Sequence, residues 1–344
     1  MSVLDTVGMF ALAEQFPEQA EAAVARSRGV EGLPAREDVE SVVVIGMGGS
    51  GAAGDVVHAV ASTLLPVPVL TVKGYECPAF VGDGCLVFAI SASGNTEETI
   101  QAASDAAVSG ARMVVVTSGG ELRHLGDSWG APVIEVPADI PQPRAALPSM
   151  AFPPLVVLEE IGLLPGGSYW VDAALDQLRR RRDELAVAGD TSAAADVARR
   201  IGRTIPLVHG GGSIGATAAR RWQTQVNENA KAPAFSAAQP ELCHNEVCGW
   251  GQHGDVTRQV LTAVALRHDG EHPQVGRRFE LVGELLREVV ADVVEVHAAG
   301  DGDLAQLMDL ILFGDYVSLW MAAEAGIDPG PVPVLVDLKR QLTS

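Results

Sequence analysis

The clearest chemical signal in this sequence is the stretch Ser91-Ala-Ser-Gly-Asn-Thr96. Ser91, Ser93 and Thr96 offer three hydroxyl groups, and Gly94 lets the backbone approach a ligand closely. The stretch follows the apolar run Leu86–Ile90 and precedes Glu97-Glu98-Thr99, which opens a helical pattern. An anion placed here meets the free N–H groups of a helix's first turn and the positive end of its dipole. Such a site takes a phosphate without any lysine. The plain structural alternative is a capped helix with Asn95 or Thr96 as the cap. A cap needs only one side-chain oxygen, so three hydroxyls and a glycine favour phosphate.

Two glycine loops raise a different chemistry. Gly46-Met-Gly-Gly-Ser-Gly51 follows the β-branched run Ser41–Ile45, and Gly210-Gly-Gly-Ser-Ile-Gly215 follows Ile205–His209. Both match G-x-G-x-x-G between a strand and a helix, the dinucleotide fingerprint. That fingerprint also needs an acidic residue at the end of the second strand, and here Val67–Val72 ends in Lys73. No nucleotide cofactor is expected. The glycines of the second copy read as close helix–strand packing.

The loops are also a repeat. Gly48-Gly49-Ser50 recurs as Gly211-Gly212-Ser213, an offset of 213 − 50 = 163 residues, which points to duplication of a whole domain. In the first half, strands are predicted at Leu86–Ser91, Arg112–Thr117 and Pro132–Val136, with helices at Ala52–Leu65 and Glu97–Val108. In the second half, strands are predicted at Val256–Leu266 and Val293–His297, with helices at Ala216–Val226, Gln274–Val289 and Asp303–Ala325. This alternation implies an α/β protein whose parallel sheets are covered on both faces. Pro165-Gly-Gly-Ser168 reads as a breaker, giving domains of 1–165 and 166–344, and Asp172–Val187 reads as a charged helix bridging them. At the 163-residue offset the phosphate stretch would correspond to Gly254-Asp-Val-Thr-Arg-Gln259. That stretch has no hydroxyl cluster, so one phosphate site per chain is expected.

Composition bounds the partners. The chain has 344 residues, 47% of them hydrophobic, and a formal net charge of −20. The acidity argues against nucleic acid and anionic membranes, and it requires any anionic substrate to find local positive potential. No apolar run reaches the roughly 20 residues that span a bilayer, and Met1–Gln15 lacks a basic leader, so the cytoplasm is the expected location. Cys77, Cys85, Cys243 and Cys248 form no C-x-x-C pair and read as reduced thiols. Cys243, His244 and Cys248 make a poor tetrahedral set, so no metal is expected.

Ser91–Glu98 resembles the signature of sugar isomerase (SIS) domains, and Gly46–Asp55 is similar to their first glycine loop. Asn227-Glu-Asn-Ala-Lys231, Cys243-His-Asn-Glu246, Pro143-Arg-Ala-Ala-Leu147 and Leu338-Lys339 narrow the likeness to the bifunctional phosphoglucose/phosphomannose isomerases. The resemblance covers nearly the whole chain in the family's order. It implies two SIS domains, each a doubly wound, flavodoxin-like sandwich. It also implies a homodimer whose active site lies between domains and takes a histidine from the neighbouring subunit. Gly49, Ser50, Ser91, Ser93 and Thr96 would bind the substrate and its phosphate. Arg144 would stabilise the intermediate or orient the sugar, Glu228 would be the base, His244 would open the ring, and Lys339 would add a substrate contact. Cys243 departs from the asparagine that often precedes this histidine in the family.

The implied reaction interconverts glucose 6-phosphate or mannose 6-phosphate with fructose 6-phosphate. It moves one proton between C1 and C2 through a cis-enediol(ate), which a carboxylate base and well-placed donors suffice to support. Glu228 fits the base, with Asn227 and Asn229 at hand to hold it; Glu241 and Glu246 are rivals, and Glu246 is expected to bond backbone in its own turn. Ring opening suits a histidine, whose ordinary pKa is ~6.5. Of the eight histidines only His244 has the family context, and His209, ending a strand beside a glycine loop, is expected to pack.

Overall fold

A computed structural model describes residues 3–342. The chain folds into two compact units.

In the unit of residues 15–180 and 299–309, the short β-branched runs become five parallel strands. These are β1 (Ser41–Ile45), β2 (Val69–Val72), β3 (Cys85–Ser91), β4 (Arg112–Thr117) and β5 (Val133–Glu135), in the order β2-β1-β3-β4-β5. This is the flavodoxin-like order, with its crevice at the C-terminal strand ends. Ser41 pairs with Cys85 and Ser91 with Thr117, so the ends of β3 and β4 lie level. Every residue of β1 and β3 is buried, as a sheet covered on both faces requires. Helix Gly48–Ala61 packs down on this sheet because Gly54 has no side chain: a Cβ there would lie 2.7 Å from Thr71 Cγ2.

The unit of residues 3–14, 181–298 and 310–342 holds β6 (Ile205–Gly211), β7 (Phe235–Gln239), β8 (Leu261–Arg267) and β9 (Asp292–His297). They are parallel in the order β7-β6-β8-β9, which repeats the first four positions of the other sheet. The core beside this sheet is anchored by Trp222 on helix Gly212–Gln225. Its ring is fully buried, its Nε1–H donates to Leu310 O at 2.8 Å, and it stacks on Phe313 with centroids 6.0 Å apart. Glycine at 314 makes room, since a Cβ there would lie 2.2 Å from Trp222 Nε1. Next to it Arg221 forms a buried two-pronged ion pair with Asp315, at 3.0 and 2.7 Å.

Several expected bounds match closely, including Glu97–Val108, Arg112–Thr117 and Asp303–Ala325. The main correction concerns 254–267. Gly254–Val260 is a helix, and the strand expected at Val256–Leu266 begins only at Leu261. The counterpart of β3 is therefore β8, and the counterpart of the stretch Ser91–Thr96 follows Arg267 instead of starting at Gly254. Helix Gly167–Ala188 begins inside the expected breaker. Glu159 makes this possible by accepting from Ser168 N–H at 2.8 Å and Ser168 Oγ at 2.5 Å. Helix Asp303–Ala325 is long and apolar enough to cross a bilayer, against the expectation that no run would be, but its most apolar window is 94% buried within the protein.

Replacing Trp222 with alanine removes the largest buried side chain and orphans Leu310 O. The expected loss is about 3–5 kcal/mol of stability, measured by urea denaturation.

Candidate active site

The loop after β3 is built by a network of its own hydroxyls. Ser91 is 1% exposed, its Oγ lies 2.9 Å from Thr96 Oγ1, and it accepts Gly94 N–H at 3.1 Å. Ser93 Oγ accepts Asn95 N–H at 3.2 Å. Thr96 stands at the N-cap of helix Glu97–Val108, yet its side chain caps nothing. With its hydroxyl turned to Ser91, the N–H groups of the first turn have no acceptor within the helix. That differs from the plain capped helix and leaves an anion-attracting end.

Glycines lock this loop to the one after β4. Gly94 has φ +69°, and a Cβ on it would lie 1.7 Å from Gly119 O. Gly120, at φ +67°, approaches Ser93 O and Asn95 Oδ1 in the same way. Asn95 Oδ1 accepts Glu121 N–H at 3.0 Å, and Ala92 O accepts Ser118 N–H at 3.1 Å. Asn95 thus serves as a strut between loops.

Ser50 reaches the same place from the first glycine loop. It is buried, its Oγ accepts Ala92 N–H at 3.3 Å, and its hydroxyl lies 3.2 Å from Met150 Sδ. Gly49 touches the turn Pro143–Ala146: a Cβ there would lie 3.1 Å from Pro143 O and 3.2 Å from Arg144 Cα. Arg144 is 3% exposed and donates from Nη1 to Gln142 Oε1 at 2.9 Å. Gly49, Ser50, Ser91, Ser93, Thr96 and Arg144 therefore belong to one neighbourhood at the C-terminal edge of the first sheet. A cavity of about 340 Å³ opens there beside Ser93, walled by Ser118, Val136, Ile140, Pro141 and Pro143. Sequence reasoning had singled out Pro143 but passed over Ser118, Ile140 and Pro141; the local signal near Ser118 was the pair Gly119-Gly120. A larger cavity of about 490 Å³ adjoins Arg112, the first residue of β4, at the opposite edge of the sheet.

In the other unit, Glu228 lies in a π-helical turn, Val226–Ala230, that continues helix Gly212–Gln225. Such turns are frequent at functional sites. Asn227 donates to Ala232 O at 2.9 Å and Asn229 to Ser318 Oγ at 2.9 Å. These bonds fasten the backbone that presents Glu228. Lys231 closes the turn in the left-handed region, and its Nζ donates to Glu228 O at 2.6 Å and Pro329 O at 3.1 Å.

His244 is exposed at the end of the short turn Glu241–His244. The rival carboxylates are engaged within this unit. Glu241 Oε1 accepts from Asn245 at 2.9 Å. Glu246, expected to bond its own turn, instead lies 2.9 Å from His209 Nε2. Cys243 donates to Gln239 Oε1 at 3.1 Å. Lys339 is exposed on helix Pro333–Leu342.

The loop after β8 is built differently from the loop after β3. Glu271 folds back so that its carboxylate accepts Arg267 Nε–H at 3.0 Å, Arg267 Nη2–H at 2.8 Å and His268 N–H at 3.1 Å. His272 Nδ1 then caps helix Pro273–Arg287 by accepting Gln274 N–H at 3.1 Å. Gly210 is a packing glycine, for a Cβ there would lie 1.9 Å from Gly215 O. In the first unit, the Lys73 ammonium just after β2 is paired with Asp55 of helix Gly48–Ala61.

Two parallel sheets of this order, one ending in a hydroxyl-and-glycine loop at an uncapped helix, define a sugar-isomerase (SIS) type of protein. Residues 37–121 match the model of the SIS domain, and residues 190–342 match that of the bacterial phospho-glucose isomerase C-terminal SIS domain. A bifunctional phosphoglucose/phosphomannose isomerase from Caldicellulosiruptor bescii is 32% identical over 97% of this chain and 98% of its own length. The chain belongs to the bifunctional phosphoglucose/phosphomannose isomerase family. A D-glucosamine-6-phosphate 4-epimerase from Sulfolobus acidocaldarius is 31% identical over 68% of this chain and 70% of its own. Among solved structures, a hypothetical protein from Thermus thermophilus shares the fold at TM-score 0.74 and 16% identity, covering 98% of this chain and 90% of that one.

Gly94→Ala puts a methyl group where Gly119 O lies. It should cost about 1–3 kcal/mol or more in backbone strain and weaken competitive inhibition by inorganic phosphate. Thermal unfolding and inhibition kinetics measure the two effects.

Proposed function

We propose that the protein interconverts glucose 6-phosphate and mannose 6-phosphate with fructose 6-phosphate through a cis-enediol(ate). The observation that carries this reading is the hydroxyl loop Ser91–Thr96, whose threonine turns away from the helix it could have capped. In a chain of net charge −20, this is a place where local N–H dipoles favour a phosphate. Ser91, Ser93 and Thr96 hold the phosphate, with Gly49 and Ser50 beside them. Arg144 supplies a planar cation for sugar oxygens or the enediolate.

Glu228 removes a proton from one carbon and returns it to the neighbouring one. His244 moves a proton between O1 and the ring oxygen to open the sugar, and Lys339 adds a contact. Glucose and mannose 6-phosphates differ only at C2, and the enediol has lost that stereocentre, so one base serves both epimers if the C2–C3 bond rotates.

The enzyme acts as a cytoplasmic homodimer, with His244 working on the partner's substrate. What supports two copies is helix Pro333–Leu342, whose Val334, Val336 and Leu342 are 71%, 66% and 75% exposed. Apolar side chains in that number on one helix favour a covering partner.

The Sulfolobus relative supports a second reading, a change of configuration at a sugar carbon without movement of the carbonyl. Product analysis by NMR separates the two: a ketose product from glucose 6-phosphate supports the first, an epimeric aldose alone the second.

Glu228→Gln should lower kcat by about 10³-fold or more while substrate still binds, and deuterium from heavy water should enter C2 of the aldose only in the wild type. Wild-type turnover by this variant removes Glu228 from the base role. Ser93→Ala should chiefly raise KM, as the loss of a contact made equally in ground and transition states does; steady-state kinetics on both epimers give this and their relative rates.

A further inference from the structure

One buried histidine is not used by the chemistry above. His209 sits near the C-terminal end of β6, in register with Ala237 on β7 and Ala265 on β8, and is 2% exposed. A histidine in the middle of a small-residue sheet needs a polar partner. It finds one in Glu246, at 2.9 Å from Nε2 to Oε1. A carboxylate oxygen can only accept, so Nε2 carries the proton.

That contact pins the segment bearing His244. Two residues before His244, Leu242 is 2% exposed in a cluster with Ala263, Val282, Leu286 and Val290. Two residues after it, Glu246 is tied to His209. Asn245 stiffens the link by donating to Glu241 Oε1 and accepting Glu246 N–H at 2.7 Å. His244 itself is exposed between these two anchors. One anchor is apolar and tolerant of sliding; the other is a directional hydrogen bond that fixes position to a few tenths of an ångström.

We propose that His209 is a positioning residue for His244, acting through Glu246, and that it governs the opening of the sugar ring instead of the proton transfer between carbons. This rests on the isomerase reading above. A misplacement of about 1 Å at a proton-transferring group costs on the order of 100-fold in rate. Glu228 stands on a different segment, which Asn227 ties to Ala232 O, Asn229 to Ser318 Oγ and Lys231 to Pro329 O, so its step is left intact.

The test compares fructose 6-phosphate with 5-deoxyfructose 6-phosphate, which lacks the O5 hydroxyl that closes the ring. His209→Leu should lose about 10- to 100-fold in kcat/KM on fructose 6-phosphate and stay within about twofold on the open-chain analogue. His209→Gln keeps an N–H near Nε2 and should restore most of the loss. If the leucine variant does not fold, Glu246→Ala removes the same contact from a side chain that is 24% exposed, and the same ratio is read. Equal losses on both substrates, or no loss on either, overturn the proposal. Absence of turnover by the wild type on both substrates overturns the isomerase reading instead.

Discussion

An acidic chain can hold an anion only where short-range dipoles outweigh the surrounding field, and that constraint shapes the first unit. At a net charge of −20, long-range attraction works against a phosphate, while N–H groups and hydroxyls at contact distance work for it. The loop after β3, proposed above to hold the phosphate, is fixed by geometry. Gly94 takes a left-handed backbone that L side chains avoid, the loop after β4 presses Gly119 against it, and Ser50 catches Ala92 from a third direction. Each contact fixes donors before any ligand arrives, so little ordering remains to oppose binding.

The second unit solves a different problem, the presentation from irregular backbone of the single side chains proposed to do the chemistry. Glu228 rides on a π turn and His244 on a short turn, and both would be loose without side-chain ties. Asn227, Asn229 and Lys231 provide them for one, and Leu242, Asn245 and Glu246 for the other. Beneath the π turn, the buried Arg221–Asp315 pair and Trp222 hold the preceding helix against residues 310–315. Rigid support at a distance from the chemistry is what lets a weakly structured segment keep an accurate position.

Local signals were legible in the sequence and long-range ones were not. The helix Glu97–Val108 and strand Arg112–Thr117 announce themselves by composition, and the stretch Ser91–Thr96 does so because its donors are adjacent in the chain. The alternation of strands and helices pointed to the parallel α/β class, and the strand order of both sheets agrees with the flavodoxin-like arrangement. The fixed repeat offset failed at 254–267, because the segment between β7 and β8 carries two short turns and a helix that the other unit lacks at that place. The helical pattern at Gly254–Val260 was hidden by its own β-branched Val256, Thr257 and Val260, which run straight into the apolar strand. The pairing of His209 with Glu246 joins residues 37 apart and left no periodic trace. The same holds for Ser118 and the proline wall, which become neighbours of Ser93 only once β3 and β4 are aligned.

Glu271 gives the repeat an asymmetry that strand order conceals. By turning its carboxylate onto Arg267 and the His268 amide, the second unit neutralises at its own strand ends the charge that a visiting anion would have sought. In one half the helix after the loop has no side-chain cap, and in its equivalent a carboxylate of the chain itself occupies the strand end. A single acidic side chain thus closes with its own carboxylate the strand end whose counterpart in the first unit stands open.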